Sequence, residues 1–502
     1  MIDVATGNVV VLRQQERFLA LSYVWGGFVF HGAAVIRPDR LLCSPDLAWS
    51  IDWRHVPKTI RDAVDFVRQL GERYLWVDSL CIDQADVNDK RAIIPEMLSI
   101  YGGSYLTIFA VAGSDAHYGL PGANAESRKA EHCITLRGAH ETLHLLPARP
   151  DGFSVIERSA WNTRAWTYQE HALSRRSLFF TEHEVHLYRG GEHSYSERYR
   201  TVPIELSGKG KLSADETING DGQIRVPVLL DALRQAEALS WAHYGQGVVT
   251  YTLRKLTHPG DRLAAFLGMY NRFCHVDTSS AARHALSGLP SHWFYQCLMW
   301  TPNPRSLQAG EHARVRFDAT QSRALPSWSW VGWTGRIDMP EYRQREVHKQ
   351  ISVTVLDDWN IRCDNVIMGE LSGSPLPSES CNDSAVDGIV LHLRATIVDL
   401  WIIRSKWHPA RAGCDIMRSR SENLANDKLG HVKLDEAVAA KYCDEEAHDF
   451  MVLDTMLMLV EKYGAFYERI ALGSMKLVSD DCRQRMTVQI QGWGREEHVK
   501  LR

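Results

Sequence analysis

The 502-residue chain has no CxxC pair among its ten cysteines and no apolar run long enough to cross a membrane. Zinc ribbons and small disulfide scaffolds need closely spaced cysteines, and a membrane helix needs about 18 consecutive apolar residues. The sequence also does not open with a basic segment followed by an apolar one, so no secretory leader is indicated. We therefore expect reduced, mostly buried thiols in a cytoplasmic protein without a membrane span or a metal site.

Basic residues are not in excess either, because 57 Lys and Arg side chains stand against 61 Asp and Glu, for a net charge of -4. Nucleic-acid binding depends on a field of positive charge that this balance does not supply. The spacings of a phosphate-binding loop, of GxSxG and of HExxH are missing as well. A kinase, a serine hydrolase, a zinc protease and a nucleic-acid-binding protein are therefore disfavoured, and we expect no bound cofactor.

The chain does contain two clear changes of pattern along its length. In residues 1–204 short apolar strands alternate with helical segments, which is typical of an α/β domain. Residues 205–225 are rich in Gly, Ser, Lys and Asp and predict a linker or loop. Residues 226–340 are mostly helical in pattern and include the segment PSWSWVGW, whose tryptophans we expect in core packing and in an interface with the first domain. Strand patterns dominate residues 341–502, which predicts a β-rich C-terminal domain.

Two strands of the α/β region bracket one amphipathic helix. The segments 18-FLALSYVW-25 and 74-YLWVDSL-80 are apolar on successive residues, as in strands covered on both faces of a parallel sheet. Between them, apolar residues recur at three- and four-residue spacing from Ile60 to Leu70, and Gly71 stands where a helix C-cap belongs. This pattern predicts a largely parallel, flavodoxin-like sheet in which the two strands are neighbours.

Polar side chains gather where these two strands end. Ligands of open α/β sheets bind beyond the carboxyl ends of the strands, so this edge is the expected site. Further along the chain, Trp166, Gln169 and Glu170 have the spacing that puts them on one helical face. The candidate catalytic residues are Asp78, Asp83 and Glu170, and the candidate ligand-binding residues are Ser22, Tyr23, Trp25, Gly26, Cys81, Gln84, Trp166 and Gln169.

Structural roles are open for the first group of these residues. Asp78 and Asp83 could be a coupled carboxylate pair of the kind that glycosidic cleavage requires. Asp78 could equally cap a helix or bind loop amides. Cys81 could be a nucleophile if a neighbour lowers its pKa, whereas a packed thiol needs no partner.

The helical group also has two readings. Trp166, Gln169 and Glu170 could hold a ribose or an adenine between polar groups and an aromatic plate. Alternatively, Glu170 pairs with Arg164 or Arg175 while Trp166 fills the core.

Four sequence blocks resemble the fungal heterokaryon incompatibility (HET) domain in their order and spacing, over about residues 14–199. They are LSYVWGG, PKTIRDAVDFVRQLGERYLWVDSLCIDQADVND, MLSIYGGSYLTIFAVAGSDAHYGLPG and WNTRAWTYQEHALSRRSLFFT. The resemblance implies a role in fungal nonself recognition and programmed cell death, as an effector or signalling module. It also implies that the partner is another copy of the chain or another incompatibility protein.

HET domains are regarded as distantly similar to Toll/interleukin-1 receptor (TIR) domains, some of which cleave NAD at the nicotinamide–ribose bond. The resemblance therefore implies a TIR-like fold and, as an alternative function, an enzyme. Such an enzyme would be an NAD(P) glycohydrolase, or a family member redirected to another small-molecule reaction. NAD would then be a substrate, and the candidate residues would have to converge on one cleft.

Overall fold

The computed structural model describes two compact units, Met1–Glu237 and Ala238–Arg502. The described residues are 1–12, 16–26, 35–36, 47–84, 86–93, 96–124, 128, 134–137, 142–145, 152–189, 192–196, 241–274, 288–290, 293–318, 323–339, 354–356, 360–362, 368–372, 390–404, 413–417, 428–434, 436–443, 446–453, 456–463, 466–475 and 495–501. The predicted linker and the predicted domain boundary near residue 340 lie outside them. Within the described residues no helix combines the length and apolarity needed to cross a membrane.

Unit 1 alternates strands and helices along most of its length. Its strands are β1 (Ile2–Asp3), β2 (Asn8–Val10), β3 (Phe18–Ser22), β4 (Val35–Ile36), β5 (Leu47–Ile51), β6 (Tyr74–Val77), β7 (Leu106–Ala110), β8 (Ile134–Arg137), β9 (Thr142–Leu145), β10 (Arg176–Phe180), β11 (Val185–Arg189) and β12 (Glu192–Ser196). Its helices are α1 (Lys58–Gln69), α2 (Asp78–Cys81), α3 (Val87–Ile93), α4 (Met97–Gly103), α5 (Gly152–Arg158) and α6 (Trp166–Leu173).

The described strands of unit 1 form one mixed sheet in the order β12-β11-β10-β7-β3-β6-β1-β2-β5-β4, with β8 and β9 as a separate hairpin. Its centre, β10-β7-β3-β6, is parallel, and Leu21 of β3 lies opposite Val77 of β6 and Ile108 of β7. The flanking strands pair antiparallel on both sides. The α/β class and the neighbouring strands are thus confirmed. The expectation of a largely parallel sheet is wrong, because short antiparallel strands extend both edges.

Helix α1 covers one face of this sheet, as the sequence predicts. Its residues Ile60, Ala63 and Val67 are fully buried against the apolar residues of the parallel strands. Leu70 shares their spacing but is 48% exposed, since the helix ends there and turns away from the core. Gly71 has a φ of +73°, the left-handed conformation that favours glycine after a helix.

The opposite face of the sheet is covered by aromatic packing. Side chains of a strand alternate between faces, so Phe109 of β7 points away from α1. Its ring stacks on Phe179 with centroids 4.7 Å apart and meets Trp161 edge-on at 5.2 Å. Trp76 and Tyr101 make a second edge-on pair at 5.4 Å. These contacts hold the turn at residues 161–163 and the helix that follows it against the centre of the sheet.

Unit 2 contains short helices followed by a large antiparallel sheet. Its described helices are α7 (Trp241–Thr252), α8 (Leu267–Cys274), α9 (Phe294–Leu298), α10 (Pro304–Gln308) and α11 (Glu436–Tyr442). Its described strands are β13 (Thr301–Pro302), β14 (Phe317–Asp318), β15 (Arg323–Ala324), β16 (Ile337–Asp338), β17 (Thr354–Leu356), β18 (Asn360–Arg362), β19 (Met368–Ser372), β20 (Val390–Arg404), β21 (Gly413–Met417), β22 (Lys428–Lys433), β23 (Ala447–Leu453), β24 (Met456–Tyr463), β25 (Phe466–Met475) and β26 (Arg495–Leu501).

The long strand β20 organises this second sheet. The described order is β17-β18-β19-β20-β21-β22-β25-β24-β23, while β26 pairs with β20 and β25, and β23 returns to pair with β20. The pairings of β20 are all antiparallel in the described residues. The predicted β-rich C-terminal region is confirmed.

The tryptophan-rich segment is part of the core of unit 2. Trp328 and Trp330 are fully buried and Trp333 is 7% exposed, which confirms the predicted core packing. Trp330 begins a short 3-10 turn, and its Nε1 donates to the hydroxyl of Tyr244 on α7 at 3.0 Å. The segment therefore packs as a turn against α7.

A buried arginine connects this segment to the large sheet. Arg469 of β25 donates from Nη1 to the carbonyl of Leu298 at 2.6 Å and from Nη2 to the carbonyl of Trp300. Its guanidinium lies 3.9 Å from the ring centroid of Trp300, and its backbone N–H donates to Ser327 Oγ at 2.9 Å. Burial lowers the pKa of Arg469 to about 9, so the side chain still carries its charge at neutral pH.

We expect Arg469→Ala to lower the free energy of unfolding by about 3 kcal/mol, because it leaves a cavity under the Trp300 ring and two buried carbonyls without their donor. Arg469→Met should lose less, since it refills the volume. Arg495→Ala is the control, because this half-exposed arginine makes surface ion pairs with Asp399 and Asp449 worth under about 1 kcal/mol. Urea unfolding followed by tryptophan fluorescence measures all three. Equal midpoints for Arg469→Ala and Arg495→Ala would contradict the expectation.

Candidate functional site

Ser22, the last residue of β3, connects the sheet to α6 through its side chain. Its Oγ donates to Glu170 Oε2, and it accepts a hydrogen bond from Trp161 Nε1 at 2.7 Å. All three residues are buried. A hydroxyl has one proton, and the indole N–H of Trp161 can only donate, so the serine proton points at the carboxylate. Glu170 is therefore held in one direction at the carboxyl end of the parallel strands.

The next residues of the chain connect β3 to the start of α2. The Tyr23 hydroxyl donates to Ser79 Oγ at 2.7 Å, and Trp25 Nε1 donates to Asp78 Oδ2 at 3.0 Å. The backbone carbonyl of Tyr23 accepts from Arg164 Nη1 at 2.7 Å. Because β3 and β6 run parallel, their ends meet and these bonds are short-range in space although they are distant in sequence.

Asp78 is the first residue of α2; it makes a helix-start hydrogen bond and has a raised pKa. Its Oδ1 accepts from the Ser79 N–H at 2.6 Å, so the predicted alternative of a helix-start contact is present. Burial raises the pKa of Asp78 to about 6, and the charge of Arg164 and the hydrogen bonds from Ser79 and Trp25 offset part of that rise. The side chain keeps partial solvent access. Asp78 can therefore take up or release a proton near neutral pH.

The two carboxylates act on the same pair of phenols. Burial raises the pKa of Tyr23 and of Tyr101 well above the usual range, and the negative charges of Asp78 and Glu170 add to both shifts. Arg164 opposes both. Both phenols are therefore neutral and lie in the field of both carboxylates. We call the following residues the strand-edge cluster: Ser22, Tyr23, Trp25, Asp78, Trp161, Arg164 and Glu170.

Gln84 and Cys81 lie just after Asp78 in the chain. Gln84 Nε2 donates to the backbone carbonyl of Asp78 at 3.1 Å, which fixes the turn that follows α2. The Cys81 thiol accepts from the Val77 N–H at 3.4 Å and packs against apolar clusters of the sheet. Through these contacts both residues stabilise the backbone next to Asp78.

Asp83 makes turn contacts in the loop before α3. Its backbone N–H donates to Asp89 Oδ2 at 2.6 Å, and its Oδ1 accepts from the Asp86 N–H at 3.2 Å. The charge that acts on Asp78 is that of Arg164. The geometry thus puts a guanidinium beside Asp78 and gives Asp83 a capping contact in the adjacent loop.

The remaining candidates are Gly26, whose backbone conformation requires glycine, and Trp166 and Gln169, which differ in solvent exposure. Gly26 has a φ of +69°, and a Cβ added there would lie 2.5 Å from Cβ of Asp115, so both backbone conformation and space require glycine. Trp166 is half-buried at the start of α6, whereas Gln169 is fully buried. The shared helical face is therefore partly internal, and Glu170 is the member that reaches Ser22.

Three residues of this region were not among the sequence candidates. Trp161 orients Ser22, Arg164 bonds to Tyr23, and the charges of both carboxylates act on Tyr101. Arg164 was considered only as an ion-pair partner of Glu170, and the structure gives it a backbone carbonyl as acceptor. Trp161 and Arg164 could have been found from the sequence, because they stand in the same sequence block as Glu170.

Residues 18–170 match the family model described as Heterokaryon incompatibility protein (HET). The chain therefore carries a HET domain, as the four sequence blocks indicated. The match begins at the first residue of β3 and ends at Glu170, so it contains the whole strand-edge cluster.

One curated relative is Heterokaryon incompatibility protein 6, OR allele, of Neurospora crassa, which is 25% identical over 203 residues. The similarity covers 34% of this chain and 29% of the relative, so the chain matches less than a third of that protein's length. No solved structure matches the chain.

We expect Asp78→Asn to become more stable relative to wild type as the pH rises. The pKa of Asp78 is about 6 in the folded protein against an ordinary 3.8, so the folded state binds the proton more tightly. Wild-type stability therefore falls between about pH 4 and pH 6, and the variant lacks that loss. Relative to its value near pH 4, the stability difference between Asp78→Asn and wild type should grow by about 1–2 kcal/mol at pH 7. The partial exposure of the Asp78 side chain keeps the difference this small.

Thermal unfolding from pH 4 to pH 8 measures this difference. Asp65→Asn is the matched control, because Asp65 lies on the exposed side of α1 in an ion pair with Arg68. A difference between Asp78→Asn and wild type that stays constant over the pH range would show that Asp78 is not desolvated.

Proposed function

We propose that this chain is an effector of fungal heterokaryon incompatibility, whose HET domain triggers programmed cell death after nonself recognition. The observation that carries the proposal is the coincidence of the family match with the strand-edge cluster, since residues 18–170 contain all of its members. The name of the Neurospora crassa relative, an incompatibility protein, supports the same role.

The proposed organisation assigns residues 1–204 to the HET domain and 205–225 to a linker. The helical region 226–340 and the β-rich region 341–502 would then sense a partner or restrain the HET domain. Two compact units in the described residues support a division of labour of this kind. The proposed partners are a second copy of the chain or another incompatibility protein.

A second candidate function is catalytic, and the strand-edge cluster favours it. We propose as this alternative a TIR-like glycohydrolase that cleaves the nicotinamide–ribose bond of NAD. A carboxylate fixed in one direction, as Glu170 is by Ser22, suits contact with ribose hydroxyls or with a developing oxocarbenium. Trp25 and Trp166 are half-buried indoles and offer surfaces on which a base could stack.

The proton balance of this reaction assigns the role of Asp78. Nicotinamide leaves with the electrons of the broken C–N bond as a neutral molecule, so its departure needs no acid. Water adds to the ribose carbon and releases one proton, which a basic group must accept. An aspartate whose pKa is about 6 is mostly ionised at pH 7 and can accept that proton.

The effector proposal predicts that expression of the full chain in a fungal host lowers colony formation, most strongly when the chain is clustered by a fused dimerisation tag. Glu170→Gln should restore colonies if the cluster carries the signal, whereas Asp65→Asn should not, since Asp65 is a surface residue of α1. Counting colonies at matched protein levels measures this effect. Undiminished colony formation with wild type, free and clustered, would count against the effector role.

The catalytic alternative predicts NAD loss by the purified protein, followed by chromatography. Glu170→Gln should reduce the rate at least about 100-fold and Ser22→Ala about 10-fold, because the first removes a catalytic carboxylate and the second only its orientation. The wild-type rate should rise with pH through about pH 6, and Asp78→Asn should lose that dependence. Equal thermal stability at pH 7 must accompany the Glu170→Gln and Ser22→Ala losses. If the folded wild type, alone and clustered, turns over no NAD, the enzyme candidate fails and the effector remains.

A further inference from the structure

Two buried thiols face each other in the core of unit 2. The Sγ atoms of Cys414 and Cys443 lie 3.4 Å apart, and the residues are 3% and 7% exposed. Cys414 belongs to β21, and Cys443 directly follows α11. Both lie outside residues 18–170, so the pair is independent of the strand-edge cluster and of the function proposed for it.

A cation lies beside the two thiols, because the charge of Arg404 acts on both Cys443 and Cys414. Arg404 is the cross-strand partner of Cys414 in the pairing of β20 with β21, so their side chains are neighbours. The same guanidinium donates to Glu436 at the start of α11 at 2.7 Å. A neighbouring cation stabilises a thiolate, which is the reactive form of cysteine. Either thiol can therefore become the attacking thiolate, and the other is placed to react with it.

We propose that Cys414 and Cys443 are an oxidation site that forms a disulfide with hydroperoxides, hydrogen peroxide being the simplest. The thiolate of one cysteine attacks one peroxide oxygen, the O–O bond breaks, and a sulfenic acid forms. After protonation the other oxygen leaves as water from hydrogen peroxide, or as an alcohol from an organic hydroperoxide. The thiol of the second cysteine then attacks the sulfenic sulfur and displaces one water molecule. Two thiols lose two electrons and two protons, and the peroxide receives both.

Formation of the disulfide requires only a small movement of the two sulfur atoms. The sulfur atoms approach from 3.4 Å to a bond of about 2 Å, and the described residues around them form one apolar cluster that already packs α11 on the sheet.

Oxidation would fix the position of α11 on the sheet. A helix of seven residues is too short to be stable alone, so its contacts hold it in place. At its last turn, Lys441 Nζ donates to Glu461 Oε1 at 2.7 Å and the Tyr442 hydroxyl donates to the same carboxylate. A disulfide adds a covalent connection to β21 and closes the loop 414–443, which raises resistance to unfolding.

Peptide mapping tests the site on the full chain. The protein is purified reduced, treated with graded hydrogen peroxide, alkylated, and digested with trypsin without reduction. Cys414 lies in the tryptic peptide 412–418 and Cys443 in 442–462. The expected product is these two peptides joined with the loss of two hydrogen atoms and separated again by dithiothreitol. Thermal unfolding should rise by several degrees on oxidation.

Matched variants separate this site from oxidation elsewhere. Cys414→Ala and Cys443→Ala should each lose the joined peptide and the thermal shift, whereas Cys297→Ala, which changes another buried thiol of unit 2, should keep both. Arg404→Gln should slow formation of the joined peptide severalfold. Recovery of 412–418 and 442–462 from folded wild type as separate alkylated or overoxidised peptides would overturn the proposal. Because this outcome is measured on wild type, it decides the question even where a variant fails to fold.

Discussion

The parallel pairing of β3 with β6 is the constraint on which the rest of unit 1 depends. Because both strands run in the same direction, Ser22 and Asp78 emerge at the same edge of the sheet although they are far apart in the sequence. Aromatic packing on Phe109 then brings Trp161 and α6 over that edge. The hydrogen bond from Ser22 to Glu170 is possible only after both conditions are met.

Burial disfavours the charged form of several side chains at this edge. Two carboxylates and two phenols share a largely buried region, and the guanidinium of Arg164 is the cation that acts on Asp78 and on both phenols. A structural core would be expected to avoid a carboxylate whose charged form is disfavoured by burial. Perturbed pKa values of this kind cluster at functional sites, which makes the strand-edge cluster the candidate site of unit 1.

The sequence alone predicted the parts of this picture that depend on local pattern. Apolar runs identified β3 and β6, helical spacing identified α1, and the rule for strand ends located Ser22 and Asp78 at the site edge. Two-residue strands such as β1 leave no periodicity to read, so the antiparallel edge that begins at β1 was missed. Arg164 joins the cluster, and Tyr101 comes within reach of its charges, only through tertiary packing, which spacing along one element does not report. Asp78 starts a helix turn because β6 ends at Val77, three residues earlier than its apolar run suggests.

The buried Arg469 has a consequence for how proteins of this architecture evolve by gene fusion. Its guanidinium belongs to the β-rich sheet, but its acceptors, the carbonyls of Leu298 and Trp300, lie at the end of α9 and just after it. A recombination breakpoint between residues 338 and 354 would leave a buried cation on one side and two buried carbonyls on the other. These two parts of unit 2 are therefore inherited best as one block, whereas exchange of residues 18–170 for another HET domain would leave this contact intact.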